Sequence, residues 1–326
     1  MKGKHHIIIE TKRIKYEFDI CRNITLIQGD SATGKTTLVN MLAEYVSQQG
    51  RTGMLLQSDV PCVVFQTLNG NWKEELAIIH DSIIFVDEQY SFIRSKEFAE
   101  VIEGSSNYYV LITRLSLPTL PYSIKEIYGI RSSGKYHYPD QIYHEFYPIY
   151  SEFDDQSISK KRRILIIEDE KSGFQFFERT QTAVKCVSAG GNSRIMDIVE
   201  QYKDESDISI IADGAAFGAY VRELCIFRDE NPQTTLFFPE SFEWLILKSG
   251  VVSIENVEDV LQHPEDHIDS SEFFSWERFY TDYLEKGTSE NNYLAYHKDR
   301  LAEFYIERRN AERILSVLPD GFLGQK

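Results

Sequence analysis

A glycine-rich stretch, GDSATGKTT at residues 29–37, directly follows the apolar run ITLI. It matches the phosphate-binding pattern GxxxxGK followed by Ser or Thr at every fixed position. In such a loop the backbone N–H groups point into one concavity, and a helix N-terminus adds a favourable dipole. Lys35 can reach the β- and γ-phosphate oxygens, and the hydroxyl of Thr36 can ligate Mg²⁺. The predicted nucleotide-binding residues are Gly29, Asp30, Ser31, Ala32, Thr33, Gly34, Lys35, Thr36 and Thr37.

A pair of carboxylates, Asp87 and Glu88, ends the apolar run SIIFV. At the end of a buried strand, Asp87 can hold Mg²⁺ through water. A carboxylate directly after such an Asp resembles the catalytic Glu of the additional-strand P-loop ATPases, which polarises the attacking water. The resemblance implies that Glu88 and Lys35 are catalytic, and Glu88 disfavours a small-molecule kinase.

The next apolar run, YYVLI, ends in Thr113 and Arg114. In the same superfamily a polar residue here contacts the γ-phosphate, which the resemblance assigns to Thr113. Arg114 has two interpretations, a γ-phosphate sensor or a surface residue. An N-terminal hairpin before the phosphate loop also resembles the ABC-type branch. The chain has no LSGGQ motif, so closure of an ABC-type dimer over ATP is not implied.

A second set of acidic residues follows in the later part of the chain. Glu168 lies in ILIIEDEKSGF, a small-residue turn SAGGNSR spans residues 188–194, and Asp213 lies in ISIIADGAAFG. These residues resemble the TOPRIM domain of topoisomerases, primases and overcoming-lysogenization-defect nucleases. In that family, carboxylates at strand ends hold Mg²⁺ for phosphodiester chemistry. The resemblance implies that Glu168 and Asp213 are metal ligands.

The sequence departs from the TOPRIM pattern at the second acidic position. The family has Asp-x-Asp, whereas this chain reads Asp213, Gly214, Ala215. A substitute oxygen could come from other acidic residues, namely Asp169, Glu170 or Glu243. Alternatively, Glu168 and Asp213 are ordinary strand-end carboxylates of a structural domain.

The positions of these two carboxylates can be predicted from topology. The runs ILII and ISIIA suit neighbouring parallel strands buried on both faces. Strands joined by crossover helices end at the same edge of a sheet. We therefore expect Glu168 and Asp213 to lie side by side at one edge, near Gly190 and Gly191.

The elements that must carry these motifs alternate between short apolar runs and helical segments, which indicates an α/β architecture. IIIE and KYEFDI predict a hairpin, and TGMLLQ, CVVFQ, SIIFVDE and YYVLITR predict buried strands. We predict a P-loop NTPase parallel sheet with an N-terminal hairpin, then a smaller TOPRIM-like α/β domain and a helical C-terminal extension. The predicted ranges are 1–150 for the ATPase domain, 151–163 for a linker, 164–255 for the TOPRIM-like domain and 256–326 for the extension.

Composition narrows the function class. The 326 residues carry a formal charge of −16, which argues against nonspecific coating of nucleic acid by an overall positive field. The four cysteines are scattered without metal-ligand spacing, and no apolar stretch reaches the ~20 residues of a membrane helix. These features predict a cytoplasmic protein with no membrane partner.

Two functions fit the combined motifs, with ATP and Mg²⁺ as the cofactors of both. The first is a nucleotide-gated nuclease, similar to ATPase and TOPRIM pairings found in defence against phages or mobile DNA. The second is an ATP-dependent regulatory switch whose TOPRIM-like domain is a non-catalytic scaffold. Candidate partners besides ATP are nucleic acid at the TOPRIM-like domain, and a protein partner or a second copy of the chain.

Overall fold

The computed structural model describes residues 1–29, 34–48, 53–67, 70–137, 141–154, 163–204 and 207–323, with backbone only at 133–137. The chain divides into two compact units. Unit 1 comprises Met1–Tyr150 and His263–Ser275, and unit 2 comprises Ser151–Gln262 and Trp276–Lys326. The residues predicted as one C-terminal extension, 256–326, are thus divided between the two units.

Unit 1 is built on one large sheet with helices. Its described strands are β1 (His5–Glu10), β2 (Ile14–Ile20), β3 (Ile24–Ile27), β4 (Leu55–Gln57), β5 (Cys62–Val64), β6 (Ile83–Val86), β7 (Tyr108–Ile112), β8 (Ile127–His137) and β9 (Gln141–Pro148). Its described helices are α1 (Lys35–Ser47), α2 (Trp72–Ala77), α3 (Lys96–Ile102) and, later in the chain, α9 (Pro264–His267). Short 3₁₀ turns lie at Ser91–Arg94 and Ile124–Glu126.

The strand order in this sheet is β4-β1-β2-β9-β8-β3-β7-β6-β5. The strands β8, β3, β7, β6 and β5 run parallel to one another. β1 pairs antiparallel with β2 as the predicted hairpin, and β8 pairs antiparallel with β9. The α/β class is confirmed, but the sheet is mixed. The strand pair β8–β9 lies between the hairpin and β3. This position depends on pairing between distant segments of the chain, which no local sequence pattern indicates.

The central strands are those with the longest apolar runs. Every residue of β3, β6 and β7 is buried, as expected for parallel strands covered on both faces. α1 packs its apolar side on this sheet through Leu38, Met41 and Leu42. The segment TGMLLQ differs from its predicted role as a buried strand. It forms β4, the last strand at one edge of the sheet as described, and Leu55 is 45% exposed.

Unit 2 contains a smaller, mostly parallel sheet. Its described strands are β10 (Phe153–Asp154), β11 (Arg163–Ile167), β12 (Lys185–Ser188), β13 (Asp207–Ile211) and β14 (Thr234–Phe237). Their order is β10-β14-β13-β11-β12, and the pairs among β14, β13, β11 and β12 are parallel. β10 pairs antiparallel with β14 at one edge.

Helices of unit 2 connect and cover these strands. The described helices are α4 (Ser172–Thr180), α5 (Ile195–Tyr202), α6 (Val221–Glu230), α7 (Phe242–Ser249), α8 (Val257–Gln262), α10 (Trp276–Thr288), α11 (Glu303–Ile306) and α12 (Arg308–Leu315). A 3₁₀ turn spans Asn192–Arg194. Both α10 and α12 contact α7, and α11 contacts α4.

The end of the chain is bonded into the sheet of unit 2. The carbonyl of Phe322 accepts hydrogen bonds from the buried hydroxyl of Ser209, at 2.9 Å, and from the guanidinium of Arg163, at 2.7 Å. The helices after residue 276 belong to unit 2.

Candidate functional site

The predicted phosphate loop of unit 1 connects β3 to α1. Gly29 has φ +129° and Gly34 has φ +99°, both in the left-handed region that favours glycine. A Cβ on Gly34 would also lie 2.8 Å from the hydroxyl of Tyr16. Gly34 therefore has two independent reasons to be glycine. The predicted ligands Asp30, Ser31, Ala32 and Thr33 lie outside the described residues.

The side chains after the loop differ in exposure. Lys35 is 7% exposed, and its ammonium donates a hydrogen bond to the carbonyl of Gly29, at the other end of the loop. Thr36 and Thr37 are exposed at the start of α1. The ammonium thus bridges the two ends of the loop. The side chain of Thr37 is hydrogen-bonded to Tyr16, and Thr36 is exposed.

Two aromatic side chains from neighbouring strands lie against the end of the loop. The hydroxyl of Tyr16 on β2 donates to the carbonyl of Gly34 at 2.9 Å. Its ring stacks on His144 of β9, with ring centroids 4.6 Å apart. Burial raises the pKa of Tyr16 to about 12 and lowers that of His144, so both are neutral at pH 7. Sequence reasoning missed this pair, because it depends on β9 pairing with β2.

The other predicted residues of unit 1 lie at the same edge of the sheet as the loop. Ile27 pairs with Ile112, and Val86 pairs with Leu111, so β3, β7 and β6 end nearly level. Asp87 directly follows β6, and Thr113 directly follows β7. Parallel strands end at one edge, and binding sites of such sheets form there.

Glu88, Thr113 and Arg114 have specific partners. The guanidinium of Arg114 lies 3.5 Å from the carboxylate of Glu88, and both side chains are partly exposed. Thr113 is fully buried, and its hydroxyl accepts a hydrogen bond from the backbone N–H of Leu115 at 3.1 Å. Arg114 is thus a half-exposed residue paired with the predicted catalytic Glu88, and the Thr113 hydroxyl is bonded within the turn that follows β7.

The oxygen donors available in unit 1 suit Mg²⁺. Magnesium is usually held by one or two carboxylates together with substrate phosphates and water. Thr36 offers an exposed hydroxyl, and Asp87 a partly exposed carboxylate. This donor set fits an ion that enters with a nucleotide, and their roles as ligands stay predictions.

In unit 2 the structure brings Glu168 and Asp213 together. β11 and β13 are parallel neighbours, with Ile167 paired to Ile211. The backbone N–H of Glu168 donates to the carbonyl of Ile211 at 3.0 Å, and the backbone N–H of Asp213 donates to the Glu168 carboxylate. Gly191 donates its N–H to the carbonyl of Glu168 at 2.8 Å. The carboxylates and the glycine turn share the edge that the sequence predicts, and their metal role stays a prediction.

The electrostatic environment of these carboxylates favours their protonated forms. Both retain some accessible surface, but protein atoms surround them closely. This burial is the main cause that raises the pKa of Glu168 to about 8, and the negative charges of Glu277 and Asp169 raise it further. Burial and the charge of Glu277 likewise raise the pKa of Asp213 well above its usual value.

The acidic residues that could replace the missing second Asp have other roles. Asp169 accepts hydrogen bonds from the N–H groups of Phe174, at 2.8 Å, and Gly173, at 3.3 Å, in the first turn of α4. Glu243 is fully buried and accepts a hydrogen bond from the hydroxyl of Tyr296 at 2.6 Å. Glu170 is exposed.

The local backbone explains why no carboxylate stands two residues after Asp213. The N–H of Gly214 donates to the carbonyl of Pro239 at 2.6 Å, and a Cβ on Gly214 would lie 2.7 Å from the carbonyl oxygen of Phe238. Ala215 is 2% exposed. An aspartate at 215 would place a charge in a closely packed position, which is strongly unfavourable without a partner.

Sequence reasoning missed Lys298, which reaches the same acidic cluster. Its ammonium lies 2.7 Å from the carboxylate of Glu277 and 3.5 Å from that of Glu243. Although burial opposes it, the charges of Glu243, Asp213 and Glu277 raise the pKa of Lys298, so the ammonium is retained. Lys298 lies in a non-helical segment between α10 and α11, where no periodicity predicts the direction of a side chain.

A cavity beside Glu168 and Asp213 has a volume of about 10 Å³, at the lower limit for one water molecule, and Phe177, Phe242 and Leu245 form its apolar wall. Within the described residues, no three His, Cys, Asp or Glu side chains are grouped to hold one metal ion.

Comparisons with known proteins add no assignment. No protein-family model matches the chain, and no curated protein is significantly similar to it. Throughout the described ranges, every helix is too short or too polar to cross a lipid bilayer. A proposal for function therefore rests on the geometry of the two units.

Proposed function

We propose that unit 1 binds ATP with Mg²⁺ and hydrolyses it as an additional-strand P-loop ATPase. The observation that carries this proposal is the strand order. β7 lies between β3, which leads into the phosphate loop, and β6, which ends at Asp87. The inserted strand is the feature for which this ATPase group is described, and local sequence patterns do not specify it.

In this proposal the phosphate loop holds ATP through its backbone N–H groups, and Lys35 contacts the β- and γ-phosphates. Binding moves the Lys35 ammonium from the Gly29 carbonyl to phosphate oxygens, a charge-assisted interaction. Thr36 and Asp87 would hold Mg²⁺, which would neutralise phosphate charge. Lys35 therefore changes partner when the nucleotide enters.

Glu88 is the proposed general base. Its carboxylate accepts a proton from water as the water oxygen attacks the γ-phosphorus and the bond to ADP breaks. Arg114, 3.5 Å from Glu88, orients this carboxylate. Thr113, directly beyond β7 at the same edge, is the proposed contact to the γ-phosphate through its backbone or its hydroxyl.

The proposal is tested by separating ATP binding from turnover in three variants. Lys35→Ala should lose tight ATP binding, because the phosphates lose their principal cation. Glu88→Gln should retain binding while its kcat falls about 10²–10⁴-fold, the usual contribution of a general base. Lys96→Ala, at an exposed position on α3, is the matched control and should behave like the parent.

Isothermal titration calorimetry with a slowly hydrolysed ATP analogue measures binding, and phosphate release measures turnover. A Lys35→Ala variant that binds ATP as tightly as the parent would overturn the site assignment. Unchanged turnover in Glu88→Gln would leave the binding site intact and remove Glu88 as the base.

For unit 2 we propose a non-catalytic role, so that the protein acts as an ATP-dependent switch read by a protein partner or a second copy. The observation that favours this role over a nuclease is the tightly packed Asp213–Gly214–Ala215 turn. An assay of single- and double-stranded nucleic acid cleavage, with Mg²⁺ or Mn²⁺ and with or without ATP, separates the two roles. Cleavage that Asp213→Asn abolishes would establish the nuclease instead.

A further inference from the structure

Lys298 is held firmly at the acidic edge of unit 2. Its backbone N–H donates to the carboxylate of Glu285 at 3.1 Å, and its carbonyl accepts from the N–H of Ser172 at 3.0 Å. Its side chain is only 22% exposed. A lysine bonded at both backbone groups and largely covered is positioned by the fold.

The residue two positions earlier binds the same cluster. The N–H of Tyr296 donates to the hydroxyl of Thr288 at 2.9 Å. The Tyr296 hydroxyl donates to Glu243 at 2.6 Å and also contacts the hydroxyl of Ser172. The segment Tyr296–Lys298, which we call the lysine strap, is thus bonded to α4, α7 and α10.

The strap brings positive charge to a concentration of negative charge. The acidic side chains whose electrostatic interactions involve Lys298 include Glu168, Asp169, Asp213, Glu243 and Glu277. Carboxylates packed together need a cation, a proton or both to remain buried. The second carboxylate oxygen of Glu243 has no hydrogen-bond partner among the described residues, so this residue depends on Tyr296 and Lys298.

We propose that the ammonium of Lys298 takes the place of a divalent cation in unit 2, so that this unit folds without a bound metal. The ammonium lies 2.7 Å from the carboxylate of Glu277 and 3.5 Å from that of Glu243, and its charge also interacts with Asp213. This inference concerns unit 2 alone and does not depend on ATP binding by unit 1.

The first experiment needs no variant of the strap. The full chain, freed of metal by a chelator and kept without nucleotide, is titrated with Mn²⁺ while bound Mn²⁺ is followed by electron paramagnetic resonance. Because Asp87 of unit 1 could bind Mn²⁺ weakly, Asp213→Asn is titrated beside the parent. The proposal predicts identical curves. Micromolar binding that Asp213→Asn abolishes would overturn it.

The second experiment removes the ammonium. Lys298→Met keeps a stem of similar length, so the change removes charge with little loss of packing. Without metal, the melting temperature of unit 2 should fall by at least about 5 °C, because a carboxylate cluster loses its cation. Lys298→Arg should recover most of that loss. Lys286→Met is the matched control and should melt like the parent, because the side chain of Lys286 is 76% exposed and pairs with Asp282.

Mn²⁺ then distinguishes a lost cation from a lost contact. The proposal predicts that Lys298→Met binds Mn²⁺ at least tenfold more tightly than the parent and recovers part of its melting temperature. Equal stability of Lys298→Met and the parent in chelator would overturn the proposal. If Lys298→Met does not fold with or without Mn²⁺, the Mn²⁺ titration of the parent and of Asp213→Asn decides alone. Identical curves for these two proteins would then support the proposal.

Discussion

Tyr296→Phe tests the hydrogen bonds of the lysine strap with the removal of a single oxygen atom. Tyr296 is 1% exposed and Glu243 is fully buried, and their hydrogen bond is 2.6 Å long. A hydrogen bond to a charged group contributes about 1.5–3 kcal/mol. The same substitution removes the partner of the buried Ser172 hydroxyl, worth about 1 kcal/mol more. We therefore expect the free energy of unfolding to fall by about 2.5–4 kcal/mol.

The chain supplies a matched control three residues away. Tyr293 also donates a hydrogen bond to a glutamate, Glu307, but it is 57% exposed, so water can replace the lost partner. Tyr293→Phe should change stability by less than about 0.5 kcal/mol.

Urea unfolding, followed by circular dichroism, measures both variants. For a slope of about 2 kcal/mol per molar urea, Tyr296→Phe should lower the midpoint of the unit 2 transition by roughly 1–2 M without changing the slope. In a Glu243→Gln background the same substitution should be less costly, because the charged acceptor is gone. Equal effects of Tyr296→Phe and Tyr293→Phe would refute the reasoning.

Three further predictions concern the two sites. Burial raises the pKa of Glu168 from 4.5 to about 8, so the folded protein keeps this carboxyl protonated up to about pH 8. The stability that the bound proton contributes is complete below about pH 4.5 and is lost as the pH rises through 8. The free energy of unfolding should therefore decrease with pH between pH 5 and 7, and Glu168→Gln should reduce that decrease by up to about 1.4 kcal/mol per pH unit. Urea unfolding measures the effect, with the exposed Glu170→Gln as the control. Gly214→Ala should cost about 1–3 kcal/mol in the same assay, because its Cβ would lie 2.7 Å from a backbone oxygen, and an unchanged midpoint would contradict the close packing. Arg114→Ala should change the free energy of unfolding by less than about 0.5 kcal/mol, because its ion pair with Glu88 is partly exposed, and should leave ATP affinity unchanged. Because Arg114 orients Glu88 in the proposed mechanism, kcat should fall about tenfold. A parent-like kcat in that variant would show that the pair has no positioning role.

Local patterns predicted the parts of the fold that local chemistry determines. Short apolar runs that end in a polar residue marked β3, β6, β7, β11 and β13. The rule that parallel strands end at one edge was sufficient to bring Glu168 and Asp213 together. These inferences need only the residues of one strand and the handedness of its crossover.

The remaining features depend on contacts between distant parts of the chain. The pairing of β2 with β9 places Tyr16 and His144 against the phosphate loop, and neither segment signals that pairing. β4 has the apolar composition of a buried strand, yet it lies at the sheet edge. Lys298 occurs in an irregular segment that is held by hydrogen bonds to the backbone N–H of Ser172 in α4 and to the side chain of Glu285 in α10, so no periodicity could have indicated it.

The discontinuity of unit 1 has a consequence for synthesis on the ribosome. Residues 263–275 belong to this unit, where the backbone carbonyl of Glu265 accepts a hydrogen bond from the N–H of Gly3 at 2.8 Å. Phe274 accepts one from the side chain of Asn23 at 2.6 Å, and Ser270 donates one to the carbonyl of Ser105 at 2.9 Å. Domains usually fold from the N-terminus as they emerge. Here the first unit stays incomplete until most of the second has been translated, so a nascent chain stalled before residue 263 should expose the backbone N–H of Gly3 and the side-chain amide of Asn23 to chaperones and proteases.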